Sequence, residues 1–67
     1  MVLQHDGRGG ILVMDAEGHI ISSVDTASFG VLESVYVMGS DRWCAKMKDG
    51  SSHIFNIKGQ YVNGFPG

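Results

Sequence analysis

Ile11-Leu12-Val13-Met14-Asp15-Ala16-Glu17-Gly18-His19-Ile20-Ile21 decides the fold class of this chain. A short apolar run, Ile11 to Asp15, reads as a strand with apolar side chains on both faces. Asp15-Ala16-Glu17-Gly18 then supplies a four-residue turn. The chain returns through His19 to Val24, and the whole segment is a β-hairpin.

The same punctuation extends in both directions. Upstream, Val2 to His5 forms a short strand that ends at the glycine-rich loop Asp6-Gly7-Arg8-Gly9-Gly10. Downstream, Asp25 to Val35 carries two signals. Phe29, Leu32 and Val35 or Tyr36 recur at helical spacing behind a capping Asp25 or Thr26, whereas Gly30 and the β-branched Val31, Val35 and Val37 favour a pleated surface. Together they predict one helical turn or short helix near residues 26–30, followed by a strand from Val31 to Met38. Gly39-Ser40-Asp41 turns the chain into Arg42-Trp43-Cys44-Ala45-Lys46-Met47-Lys48, where Trp43, Ala45 and Met47 alternate with polar neighbours as in a half-buried antiparallel strand. Asp49-Gly50 is a hairpin signal. His53 to Ile57 and Gln60 to Asn63 follow, and Pro66 stops further pairing. The expected fold is all-β, a single domain over 1–67: an antiparallel meander of five to six strands, folded as a half-barrel or curled sheet completed by self-association.

Val13-Met14-Asp15-Ala16-Glu17-Gly18-His19-Ile20-Ile21 aligns with Ile54-Phe55-Asn56-Ile57-Lys58-Gly59-Gln60-Tyr61-Val62 at an offset of 41. The preceding Asp6-Gly7 and Asp49-Gly50 turns lie 43 apart, so aligning them as well requires a two-residue gap. A period near 40 is that of propeller blades, yet similarity between two hairpins is also what an ordinary meander shows. The Gly10 to Ile21 segment resembles the first hairpin of PAS sensor domains, and Lys48-Asp49-Gly50-Ser51 with its following strand resembles their later strand pair. The same residues are similar to WG-type and NHL-type repeats, without the Trp-Gly pair of the former. One segment that fits three unrelated families assigns none of them.

A chain of 67 residues buries only about 60% of the surface its unfolded form exposes, so stability as a monomer is marginal. Cys44 is the only cysteine, which excludes an intramolecular disulfide. His5, His19 and His53 are too scattered for a zinc site, and no cofactor motif is present. Oligomerisation is the remaining remedy. The net charge of −2 is divided unevenly: residues 1–35 set Asp6, Asp15, Glu17, Asp25 and Glu33 against Arg8, and residues 36–67 set Arg42, Lys46, Lys48 and Lys58 against Asp41 and Asp49. The first half is acidic and the second basic, which suits pairing between subunits. The opening residues lack a basic start with an apolar core, and the longest apolar run is too short to span a bilayer, so no membrane role and a cytoplasmic setting are expected.

No nucleophile is paired with a base at a usable spacing, so the chain is not expected to be an enzyme. Cys44 lies mid-strand, where a structural thiol is the expectation. Asp15 and Glu17 fall short of a calcium pattern, and His5-Asp6 with His19 are weighed as a metal or proton-relay group across the first hairpins. The leading expectation is a non-catalytic interaction module, a homo-oligomer that binds a protein partner as an inhibitor or small regulator, with Arg42, Lys46, Lys48 and Phe65 as docking residues. The alternative is a binder of a nucleotide or other anion at a subunit interface, with Tyr36, Trp43, His53, Phe55 and Tyr61 lining the pocket and Arg8 and Gly9 closing it. Single-stranded nucleic acid is a third reading, disfavoured because Trp43 faces away from Arg42, Lys46 and Lys48 and because the chain is acidic.

Overall fold

In the computed structural model, which describes residues 1–67, each glycine-bearing loop reverses the chain and only strands and one 3-10 turn form. The strands are β1 (Val2–His5), β2 (Ile11–Met14), β3 (Ile20–Val24), β4 (Leu32–Met38), β5 (Arg42–Met47), β6 (Ser52–Asn56) and β7 (Tyr61–Phe65), with the 3-10 turn at Thr26–Phe29. All pairings are antiparallel. The helical signal after Asp25 yields this single turn, and Gly30 ends it with φ 122°.

Seven strands form rather than five to six, and they divide into two open sheets, β1-β2-β3 and β4-β5-β6-β7, instead of one curled sheet. The division falls at the 3-10 turn. Thr26, fully buried, donates its hydroxyl to the Gly9 carbonyl at 2.6 Å, which draws the chain out of the plane of the first sheet. Phe29, at the far end of the turn, lies on the second sheet with its ring 4.6 Å from His53 and 5.8 Å from both Phe55 and Tyr61. The turn therefore staples the two sheets together.

Directly paired residues of an antiparallel sheet share a face. Register thus places Leu3, Ile11, Val13, Ser22 and Val24 on the inner face of the first sheet. The inner face of the second carries Trp43, Ala45, Met47, His53, Phe55 and Tyr61. The two faces meet in one core of Ile11, Val13, Trp43, Ala45, Met47 and Phe55, all at 2% exposure or less, flanked by Met1, Leu3, Val24, Leu32, Val35 and Ile57. Trp43 stacks on Phe55 with centroids 4.7 Å apart. Ser22 Oγ donates to the Ile57 carbonyl at 2.9 Å across the same interface.

The periodicity is structural. Residues 2–24 follow residues 43–65 at a constant offset of 41: Leu3↔Val13 corresponds to Cys44↔Ile54, and the shift that leaves Ile21 unpaired between Met14↔Ile20 and Val13↔Ser22 recurs at Val62. Gly9 and Gly18 (both φ 87°) correspond to Gly50 and Gly59 (φ 93° and 82°). No gap is needed, because the Asp-Gly turns are not the equivalent features. Both five-residue loops are closed by the same backbone bond, Asp6 N to the Gly10 carbonyl and Met47 N to the Ser51 carbonyl. A carboxylate holds the equivalent amide in each, Asp6 on Gly10 N at 2.9 Å and Asp49 on Ser51 N at 2.8 Å, from different loop positions. The two meanders of one period stack face to face, three strands in one sheet and four in the other, and neither sheet is closed.

With so few residues in the core, each contributes a large share of stability. Ile11→Ala is expected to cost about 2–5 kcal/mol and Thr26→Val, which leaves the Gly9 carbonyl without its donor, about 1–3 kcal/mol. Both should appear as lower urea midpoints, and a midpoint unchanged in Ile11→Ala would contradict the stacking of the sheets.

Candidate functional site

Polar and aromatic side chains converge at one place, where β6 and β7 extend beyond the cover of the first sheet. Ser51 Oγ donates to Asp49 Oδ1 at 2.6 Å, His53 Nε2 lies 3.4 Å from Ser51 Oγ, and His53 Nδ1 lies 3.0 Å from the Tyr61 hydroxyl. The sequence places these groups through two devices. The β5–β6 loop turns Asp49 back onto Ser51 just ahead of β6, and alternate positions of β6 bring His53 and Phe55 to one face, with Phe55 paired to Tyr61. Phe29 completes the patch from the 3-10 turn, with its ring at 18° to that of Tyr61. Gly64 leaves room for the Tyr61 hydroxyl, which a Cβ at that position would displace.

The direction of the hydrogen bonds limits the chemistry. Ser51 gives its only proton to Asp49, so in the 3.4 Å contact the Ser51 oxygen can only accept from His53 Nε2, while His53 Nδ1 pairs with the Tyr61 hydroxyl. A serine poised for attack would instead donate to the imidazole. The chain Asp49–Ser51–His53–Tyr61 ties the β5–β6 loop to β7. Spacing of catalytic types does not reveal it, because two of its links span two residues and the third depends on the register of β7.

Of the residues expected to line a pocket, His53, Phe55 and Tyr61 come together and the others do not. Trp43 is fully buried between the sheets, and its Nε1 is the one buried side-chain polar atom without a partner. Tyr36 faces the opposite side of the second sheet, beside Cys44. The Cys44 thiol holds the Tyr36 phenol above its ordinary pKa. At the Gly-rich loop, the Arg8 and Gly10 amides both donate to Asp6 Oδ1, at 2.6 and 2.9 Å, so the loop holds its own carboxylate in the place of an external anion. Gly9 abuts Ala27. No cavity is enclosed by the chain.

The docking residues fare differently. Arg42 and Lys46 share the outer face of the second sheet with Tyr36, Ile54, Asn63 and Phe65, while Lys48 sits in the adjoining loop. Trp43 lies on the other face, so rings and cations do not form one nucleic-acid surface. His5 and His19 stand at opposite ends of β2, and do not meet. Asp15, Glu17 and His19 do gather, within 4.8 Å, and His19 Nδ1 is 3.3 Å from Asp15 Oδ2. Asp15 Oδ1 accepts from the Glu17 and His19 amides, as Asn56 Oδ1 accepts from Lys58 and Gln60 in the second repeat. One framework carries acidic groups in one copy and a lysine in the other, so the turn requires an acceptor and not a cation. No protein-family model, curated protein or solved structure matches the chain.

Three carboxylates are held below the ordinary range by donors to their charged form: Asp6 by the Arg8 and Gly10 amides, Asp15 first by the His19 amide, and Asp49 first by the Ser51 hydroxyl. A carboxylate with a depressed folded pKa contributes stability that is complete above its unfolded value, about 4, and is lost as pH falls through the folded value. Unfolding midpoints should therefore hold from pH 7 to about 4 and decline below it. Asp15→Asn, which copies Asn56, should keep the turn and make that decline shallower. An acid profile identical to that of the native chain would contradict the role of Asp15.

Proposed function

We propose that the chain is a non-catalytic interaction module that works as a homo-oligomer and presents a sheet surface to a protein partner, in the manner of an inhibitor or small regulator. One observation carries this: the outer faces of both sheets leave large apolar side chains in solvent, among them Val2 (46%), Ile20 (62%), Tyr36 (51%) and Phe65 (51%). Apolar area of this kind on so small a chain favours association. The open edges of both sheets add unpaired backbone groups.

The absence of a nucleophile–base pair at Ser51 and His53 supports a non-catalytic role. A small-ligand role rests only on His53 and Tyr61, an open surface over the buried Phe55 rather than a pocket. No helix is long and apolar enough to cross a membrane.

Native mass over a dilution series tests the proposal. A fixed oligomer that dissociates only at low concentration is the expected result, and a monomer throughout would overturn it. Nucleotides and inorganic phosphate are expected to leave Trp43 emission unchanged, since that ring is fully buried; a saturable shift would favour the ligand-binding alternative.

A further inference from the structure

Within the chain, the inner face of the first sheet packs on the inner face of the second. The constant offset of 41 means that each of these faces has a counterpart that is left outside. Cys44, Ser52, Ile54, Asn63 and Phe65, on the outer face of the second sheet, correspond to Leu3, Ile11, Val13, Ser22 and Val24. Val2, Gln4, Leu12, Met14 and Ile20, on the outer face of the first, correspond to Trp43, Ala45, His53, Phe55 and Tyr61. The buried contact is thus a template for one that the chain cannot make with itself.

We infer that the outer face of the second sheet receives the outer face of the first sheet of another copy, head to tail, with Asn63 seated on the Ala16–Gly18 turn of its neighbour. The inference rests on the self-association proposed above and specifies its surface.

Three observations fix the register. Inside the chain, Ser22 Oγ donates to the Ile57 carbonyl; displacement by 41 residues makes these Asn63 and Ala16. Asn63 is suited to that role, because its Oδ1 already accepts from the Gly64 amide at 2.9 Å and its side-chain NH2 is left free to donate. In the second repeat, the turn glycine Gly59 is packed so that a Cβ would lie 3.3 Å from Ser22 and Val24, whereas its counterpart Gly18 has nothing within 4 Å. The same turn is therefore covered in one repeat and bare in the other.

Charge favours the same partner. The part of the chain forming the first sheet and the 3-10 turn, residues 1–30, sets Asp6, Asp15, Glu17 and Asp25 against Arg8, while residues 31–67 set Arg42, Lys46, Lys48 and Lys58 against Glu33, Asp41 and Asp49. A head-to-tail contact opposes an acidic half to a basic one, and a contact between two first sheets would oppose like charges. Such a heterologous interface propagates to a ring or a filament rather than stopping at a two-fold dimer.

The test uses two single variants of the full chain, Asn63→Cys and Ala16→Cys, with a short bis-maleimide; the native chain, whose Cys44 is 1% exposed, is the background control. Unchanged Trp43 emission shows that each variant is folded. A cross-linked dimer in the equimolar mixture and none in either variant alone is the expected result. Cross-linking of Asn63→Cys to itself would indicate a two-fold contact and overturn the inference, while leaving self-association intact. Ile20→Arg, at an exposed site on the outer face of the first sheet, which the neighbouring copy receives, should raise the concentration for half-dissociation at least tenfold. An oligomer unaffected by Ile20→Arg and giving no cross-link would equally overturn the inference. A monomer at every concentration would remove the proposed self-association and this surface with it.

Discussion

A strand that is apolar on both faces must be covered twice, and this chain covers each of its sheets only once. Ile11 and Val13 are buried against the second sheet, while Leu12 and Met14, on the same strand, turn outward and remain half-exposed. The second sheet repeats the problem from the other side: Trp43, Ala45 and Met47 are enclosed, and Tyr36 and Phe65 stand in solvent. The single buried interface holds the molecule together, and the two uncovered faces follow from it. Repeat architectures share this property, since one unit cannot bury its own hydrophobic faces and depends on stacked neighbours.

The polar features of the fold serve turns more than chemistry. Asp6, Asp15 and Asp49 each hold backbone amides of their own loop, and Asn56 does the same without a charge. The Asp49–Ser51–His53–Tyr61 chain is the one side-chain network of any length, and it ties a loop to the last strand. These bonds commit the carboxylates of Asp6, Asp15 and Asp49 to amides and hydroxyls of their own loops.

Much of the local structure was legible in the sequence. Glycine spacing and the alternation in Arg42 to Lys48 marked the hairpins, and the conflict between Gly30 and the helical spacing after Asp25 marked a short turn followed by a strand. The division into two sheets was not legible, because it depends on Thr26 reaching Gly9 across seventeen positions, a contact that no periodicity encodes. The offset of 41 was visible, and only the Asp-Gly turns were matched out of step with it. Asp6-Gly7 and Asp49-Gly50 look equivalent as dipeptides, whereas the loops superpose through Gly9 and Gly50 and place their carboxylates at different positions. Grouping of candidate site residues also depended on register: pairing with β7 brought His53 and Phe55 to Tyr61, and the same alternation put Tyr36 on the other side and Trp43 in the core.

The fold depends on the face-to-face packing of Ile11 and Val13 against Trp43 and its neighbours. Nuclear Overhauser contacts of the Trp43 indole protons in a methyl-labelled sample measure that packing directly. Cross-peaks from the indole to methyl groups of Ile11 and Val13 of the first sheet are the expected result. An indole whose contacts are confined to residues 32–65 would contradict it.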